Sequence, residues 1–126
     1  MPATAQDFRR MALALPETAE RRHMNHPDFR VAGKIFATLG YPTNERGMVR
    51  LTPVQQQEFV DSWPEAFSPA AGAWGRRGCT SVLLAKAGKR ALGKAILAAW
   101  RNYAPAELAL PARRRGSGLP GRRRFA

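Results

Sequence analysis

The sequence predicts an α+β domain in which helices pack on an antiparallel sheet. Three segments have the apolar spacing and boundary residues of helices, and the segments between them have the composition and turns of strands. The predicted order is one helix, three strands, a second helix, two strands and a third helix. At 126 residues the chain has room for a single domain. We assign that domain to residues 1–110 and a tail to residues 111–126.

The first predicted helix begins after Thr4 and ends at Pro16. Thr4 is a residue type that caps helices, and proline stops them. Apolar residues between Phe8 and Leu15 follow the i, i+3, i+4, i+7 spacing of one helix face. This segment therefore predicts an amphipathic helix.

The segment from residue 22 to 51 predicts a three-stranded antiparallel meander. Its strands are residues 29–31, 34–39 and 48–51. A turn at Ala32 and Gly33 joins the first two strands. Strict alternation along the second strand places Ile35 and Leu39 on one face and Phe36 on the other.

The second helix has the clearest start in the sequence. Thr52, Pro53 and Gln55 form a capping-box pattern with proline at the first helical position, and Pro64 ends the helix. Such a pattern fixes a helix boundary to within a residue or two.

The remaining elements are a hairpin and a third helix. Phe67–Pro69 and Cys79–Ala85 are predicted strands that flank a loop at residues 74–78, whose sequence is Trp-Gly-Arg-Arg-Gly. The third helix runs from about Ala87 to Tyr103 and has a mostly cationic outer side.

Half of the net charge of +12 lies at the end of the chain, where six arginines occur without an acid. They are Arg113, Arg114, Arg115, Arg122, Arg123 and Arg124. The Gly- and Pro-containing spacer between the two triplets has no apolar periodicity, so we expect this tail to be disordered. Two interpretations remain open for it: weak, nonspecific attraction to nucleic acid, and a solubilising end with no partner.

The Trp-Gly-Arg-Arg-Gly segment is the first candidate binding site. Trp74 can stack on a base or sugar while Arg76 and Arg77 hold phosphates. In the structural alternative, Trp74 covers the end of the core and one arginine pairs with an acid such as Asp28 or Glu65.

The first hairpin is the second candidate. Arg30 and Lys34 flank its turn, so both cations are expected at the tip, where they would contact a nucleic-acid backbone. The alternative is a solvated hairpin with no ligand.

Other classes of function find little support. No Cys or acid pattern joins His23 and His26 to complete a set of metal ligands. Cys79 has no evident catalytic base, and no phosphate-loop or dinucleotide motif occurs. We therefore expect a non-enzymatic protein with no cofactor and no metal. No apolar run approaches the ~18 residues of a membrane span. The start of the chain has no signal-peptide pattern, and its single cysteine suits a reducing compartment, so we expect a cytoplasmic protein.

Several motifs in one order resemble the MmcQ/YjbR family over about residues 4–110. They are His-Pro-Asp-Phe-Arg-Val at 26–31, Gly-Lys-Ile-Phe-Ala-Thr-Leu at 33–39, Leu-Thr-Pro at 51–53, Gly72, the 74–78 segment, and Ala-Trp-Arg-Asn-Tyr-Ala-Pro at 99–105. The resemblance implies the α-β3-α-β2-α arrangement, a topology similar to that of type III secretion chaperones, and a "double wing" DNA-binding label. It does not extend to the arginine-rich tail.

Two hypotheses for function follow. In the first, the protein binds DNA or another polyanion nonspecifically through its two basic hairpin tips and its tail. In the second, it is a protein-interaction or chaperone-like module with no nucleic-acid role, which uses apolar residues such as Phe36 on a less covered sheet face. The sequence leaves the oligomeric state open.

Overall fold

The computed structural model describes residues 2–41 and 43–108. These residues form a six-stranded antiparallel sheet and four α-helices. In chain order the elements are α1 (Ala5–Leu13), β1 (Thr18–His23), β2 (His26–Val31), β3 (Lys34–Leu39), β4 (Arg46–Arg50), α2 (Pro53–Ser62), β5 (Phe67–Pro69), α3 (Gly72–Arg76), β6 (Cys79–Leu83) and α4 (Lys89–Tyr103). Short 3₁₀ turns lie at Leu84–Lys86 and Ala106–Leu108. The predicted tail at 111–126, with its six arginines, falls outside the described residues.

The predicted α+β fold with an antiparallel sheet is confirmed, with two differences in detail. Four strands precede α2 instead of three, because β1 was not recognised from the sequence. Its sequence, Thr-Ala-Glu-Arg-Arg-His, is polar and exposed because β1 is an edge strand, and charged side chains protect a sheet edge from pairing with other chains. The second difference is that Gly72–Arg76 forms the short helix α3, where an open hairpin loop was expected.

The strands lie in the order β1-β2-β3-β4-β6-β5. The register pairs Val31 with Lys34, and Arg50 with Cys79. Consequently the β2–β3 turn, the end of β4 and the β5–β6 connection all lie at the same end of the sheet. The two connections that the sequence predicted as tips therefore project in the same direction.

Helices α1 and α4 pack against one face of the sheet and enclose the core. Phe8 of α1 packs 5.8 Å, centroid to centroid, from Phe29 of β2, and Trp100 of α4 is fully buried. The Trp100 indole N–H donates to the carbonyl of Pro16, at 3.1 Å, so the polar edge of this buried ring is satisfied. Because both helices pack on the same side of the antiparallel sheet, they do not cover its other side.

The predicted helix starts are confirmed in atomic detail. Thr52 and Gln55 form a reciprocal capping box at the start of α2, and Thr4 forms one with Asp7 at the start of α1. Helix α2 is fastened to β5 by an aromatic cluster in which the Phe59 and Phe67 ring centroids are 5.1 Å apart.

A β-bulge at Phe36 changes which side chains share a face. Phe29 pairs with Ala37 while Arg30 pairs with Ile35, so Phe36 is the extra residue on β3. The side chain of Phe36 is 0% exposed and belongs to the core. The prediction that Phe36 lies on the less covered face is therefore wrong, because a single bulge interrupts the alternation on which it depended.

We predict opposite effects on stability for two glycine-to-alanine substitutions in the helix-covered layer. A Cβ at Gly47 would lie 2.6 Å from the ring of Phe8, so Gly47→Ala is expected to lower the free energy of unfolding by about 1–3 kcal/mol through overpacking. A Cβ at Gly93, inside α4, would meet only the sulfur of Met11, at 3.9 Å. Gly93→Ala is therefore expected to raise the free energy of unfolding by about 0.5–1 kcal/mol. Urea unfolding of both variants measures this, and equal effects of one sign would contradict the packing.

Candidate functional site

A cavity with a volume of about 700 Å³ lies on the face of the sheet opposite α1 and α4. Strand β4 shows which side this is. Gly47 and Val49 face the helices, whereas Arg46, Met48 and Arg50 alternate with them and line the cavity. We call this side of the sheet the uncovered face and this space the sheet cavity.

The polar groups of the sheet cavity are cationic or neutral. Among the described residues, no Asp or Glu lines it. The Nη1 of Arg46 donates to the hydroxyl of Ser81, at 3.1 Å. Neither Arg46 nor Arg50 forms a salt bridge within the described part of the chain. The positive potential of these two guanidinium groups is therefore not cancelled by a paired acid.

Trp74 of α3 borders the sheet cavity and is 56% exposed. The guanidinium carbons of Arg50 and Arg77 lie 5.7 and 5.8 Å from the centroid of its ring. Both distances are within the range of cation–π attraction. Trp74 thus holds two cations near one end of the cavity while much of its own ring stays open to solvent.

Close approaches to neighbouring backbone carbonyls require glycine at two positions that follow this tryptophan. The side-chain amide of Gln56 donates to the carbonyl oxygens of Gly75, at 2.9 Å, and Cys79, at 3.0 Å, and so fastens α3 to the start of β6. A Cβ at Gly75 would lie 1.8 Å from the carbonyl oxygen of Ala70. Gly78 has a φ of +114°, which favours glycine, and a Cβ there would lie 2.0 Å from the carbonyl oxygen of Leu51. The glycines of this segment therefore serve the fold.

The two arginines of the segment differ in position. Arg76 lies exposed at the end of α3, and Arg77 lies beside Trp74. No described salt bridge joins either of them to Asp28 or Glu65, so the pairing considered as a structural alternative is not formed.

The first hairpin separates its two predicted binding residues. Arg30 lies on the uncovered face, where its guanidinium makes a bidentate contact with Asp28, at 2.7 and 3.1 Å. Lys34 pairs with Val31, whose buried side chain belongs to the core, so Lys34 lies on the helix-covered side. The structure brings Arg77 into contact with Trp74, which lines the sheet cavity, and places Lys34 on the opposite side of the sheet. The six predicted tail arginines lie outside the described residues.

Asp28 is fully buried and accepts from a second partner, His23. The His23 Nδ1 lies 2.7 Å from the carboxylate, and since an ionised carboxylate only accepts, the proton belongs to His23. Burial opposes ionisation of this carboxyl, but hydrogen bonds from Arg30 and His23 outweigh it and hold its pKa below the ordinary value. This network supplies hydrogen-bond donors to both oxygens of Asp28, which does not line the sheet cavity.

Cys79 borders the cavity but is buried. Burial raises the pKa of its thiol, against the opposing effect of Arg50 and Arg77. Within residues 2–41 and 43–108, no group of three or more His, Cys, Asp or Glu side chains is arranged to hold a metal ion. No described helix is long and apolar enough to cross a membrane.

Sequence reasoning missed Arg46, Arg50 and Ser81 as cavity residues. The alternation of Arg46, Met48 and Arg50 along one strand was a usable signal for two cations on a common face. Ser81 had no such signal, because it meets Arg46 only through the pairing of β4 with β6.

Comparison with known proteins supports the family resemblance. A family model described as YjbR matches residues 13–102. The crystal structure of the Deinococcus radiodurans protein DR2400, described as a DUF419 domain, is similar with a TM-score of 0.68 and 18% identity over 92% of this chain and 95% of that chain. A search of the curated proteins gave no match.

We predict that Asp28→Asn lowers the free energy of unfolding by about 2 kcal/mol at neutral pH, since a buried ionised acceptor with three hydrogen bonds is lost. Because folding lowers the pKa of Asp28, the carboxylate stabilises the fold fully above its ordinary value of 3.8 and loses that contribution as the pH falls through the folded pKa. The difference between wild type and variant should therefore shrink below that pH. Chemical unfolding across this range measures it. Asp61→Asn, an exposed change on α2, serves as the control, and a gap that stays constant under acid would contradict the role of Asp28.

Proposed function

The chain belongs to the YjbR family, and we propose that it is a non-enzymatic protein that binds nucleic acid through the uncovered face of its sheet. The observation that carries the proposal is the sheet cavity, which presents Arg46 and Arg50 without a lining carboxylate. Guanidinium forks bind phosphate oxygens in a bidentate way and remain charged at all physiological pH values. A polyanion is the ligand that such a surface attracts most strongly.

The group formed by Arg50, Trp74 and Arg77 is the centre of the proposed interface. Its two guanidinium groups neutralise phosphates, and the exposed part of the Trp74 ring adds a stacking surface for a base or sugar. These contacts address the backbone and the π-face of any base, so they favour binding with little sequence specificity.

The residues predicted from the sequence take different roles in this proposal. Arg30 positions Asp28 and supports the strands, since its guanidinium is already bound. Lys34 and Arg76 lie exposed and add general attraction. The six tail arginines, from Arg113 to Arg124, add an electrostatic contribution by their charge alone.

The chaperone-like alternative has lost one of its two supports. It was based on a topology similar to that of secretion chaperones and on apolar residues such as Phe36 being accessible on the less covered face, and Phe36 is fully buried. The uncovered face presents Arg46 and Arg50 beside apolar residues such as Met48, and these two cations favour a charged ligand over an uncharged apolar peptide.

We predict that Arg50→Gln in the full chain weakens binding to a labelled oligonucleotide about tenfold, which corresponds to about 1.4 kcal/mol. The salt dependence should also fall by about 0.7–0.9 in log–log slope, because one phosphate contact is lost. Lys34→Gln is the matched control, since it removes the same charge at the same end of the sheet but from the opposite side. It should weaken binding less than about twofold, as expected for a long-range charge. Fluorescence anisotropy at several salt concentrations measures both variants, and equal losses would refute the site.

Neutralising the tail separates its contribution from that of the sheet. A full-length variant with all six tail arginines changed to glutamine should bind more weakly and with a smaller salt slope. The difference between Arg50→Gln and Lys34→Gln should persist in that background. If salt-sensitive binding disappears at low ionic strength instead, the tail alone was responsible.

A further inference from the structure

We infer that the sheet cavity accepts an unpaired nucleotide, so that the protein binds single-stranded nucleic acid in preference to a duplex. This inference rests on the proposed function and specifies its ligand. It follows from the size of the cavity, from the chemistry of its lining, and from the positive charge that the tail shares with the arginines of the cavity.

The cavity has the dimensions of a site for a whole small ligand. Its volume of about 700 Å³ lies within the range of about 300–1,000 Å³ that is typical of such sites. Phosphates held on a flat surface need no cavity of this volume. A base turned toward the sheet would occupy it.

The lining suits a nucleobase. Met48 and Ile35 are half-buried and give an apolar floor, and Thr38, Ser68 and Ser81 add hydroxyls that both donate and accept. The rings of His26 and Tyr41 meet edge to face, 5.4 Å apart, as part of the wall. Rotatable hydroxyls do not impose one donor–acceptor pattern, so we expect weak preference among bases.

The arginines lie where a strand entering the cavity would place its phosphates. Arg46 and Arg50 are four residues apart on β4, each two residues from Met48, so they bracket the apolar floor. Bases in a duplex are paired and stacked, and they reach such a cavity only if they are first extruded. A single strand can turn a base inward at far lower cost, and proteins that bind single strands on sheets combine aromatic and basic side chains in this way.

Charge argues against two other occupants of the uncovered face. The tail of this chain carries six arginines and no acid, so its charge repels Arg46 and Arg50. A second copy that docked with the same face would set arginines against arginines. The positive cavity therefore selects a ligand that is both anionic and flexible.

The test fills the cavity in the full-length protein. Ser68 is exposed on β5 and shares the uncovered face with its cross-strand partner Ser81, so Ser68→Tyr projects a ring into the cavity and keeps a residue that strands favour. Ser62→Tyr, at the end of α2 and away from the cavity, is the matched control. The probes are labelled oligothymidine, its duplex with oligoadenosine, and thymidine monophosphate as a competitor.

We expect wild-type protein to bind oligothymidine roughly tenfold more tightly than the duplex at the same salt, since the duplex must first release a base. Ser68→Tyr should remove most of that preference by weakening single-strand binding about tenfold, while duplex binding stays within about twofold, because surface phosphate contacts remain. Ser62→Tyr should leave both affinities unchanged.

Equal affinity for strand and duplex, or equal effects of Ser68→Tyr and Ser62→Tyr, would overturn the inference. If Arg50→Gln still weakens binding more than Lys34→Gln in that case, the proposal that the uncovered face binds nucleic acid stands, and only the inference of an unpaired base in the cavity fails. If those two variants are also equal, both proposals fail. If thymidine monophosphate competes at the same concentration as the oligonucleotide, the ligand is a free nucleotide and the inference of a polynucleotide is wrong.

Discussion

The one-sided covering of the sheet is the constraint on which the rest of this molecule depends. Helices α1 and α4 bury the side of β4 that carries Gly47 and Val49, and the close approach of Phe8 to Gly47 shows how tightly that layer is packed. Every alternate strand residue must then face the other way. The side chains at those positions decide whether the second face packs into another core, contacts solvent or binds a ligand. Here they include two arginines and several hydroxyls around a cavity.

The electrostatics of the uncovered face depend on where its acid is held. Asp28 is fully buried, and its oxygens accept from Arg30 and His23. A carboxylate with this many donors has little capacity left for other cations. Arg46 and Arg50 lie on β4, two strands away from β2 in the sheet, and the described salt bridges of Asp28 are to His23 and Arg30. The interaction that stabilises β1 and β2 therefore does not involve the two arginines of β4.

Features that depend on residues close together in the chain could be predicted from the sequence, whereas features that arise from strand pairing could not. The capping box of α2 follows from near neighbours in the chain, so the pattern at Thr52 and Gln55 predicted it. The apolar spacing of the third predicted helix likewise predicted the approximate extent of α4. Strand β1 carries no apolar alternation because it lies at an edge, and the bulge at Phe36 is visible only when β3 is paired with β2. The cavity was missed for the same reason, since β4, β5 and β6 meet only in the folded sheet. The pairing of Arg30 with Asp28 was not predicted, because the burial of Asp28 arises only in the folded sheet.

The Trp-Gly-Arg-Arg-Gly segment combines two kinds of constraint that its sequence alone does not separate. Its glycines are required by the carbonyl oxygens of Ala70 and Leu51, so they report on the fold and would persist in a relative with a different ligand. The side chains of Trp74 and Arg77 are in cation–π contact with each other, and Trp74 also contacts Arg50, which lies outside the segment on β4. A match to this segment therefore argues for the fold, whereas the charge of the uncovered face depends on the alternate residues of β4. For relatives of this chain, the side chains at the positions of Arg46 and Arg50 are accordingly the better guide to whether the same face attracts a polyanion.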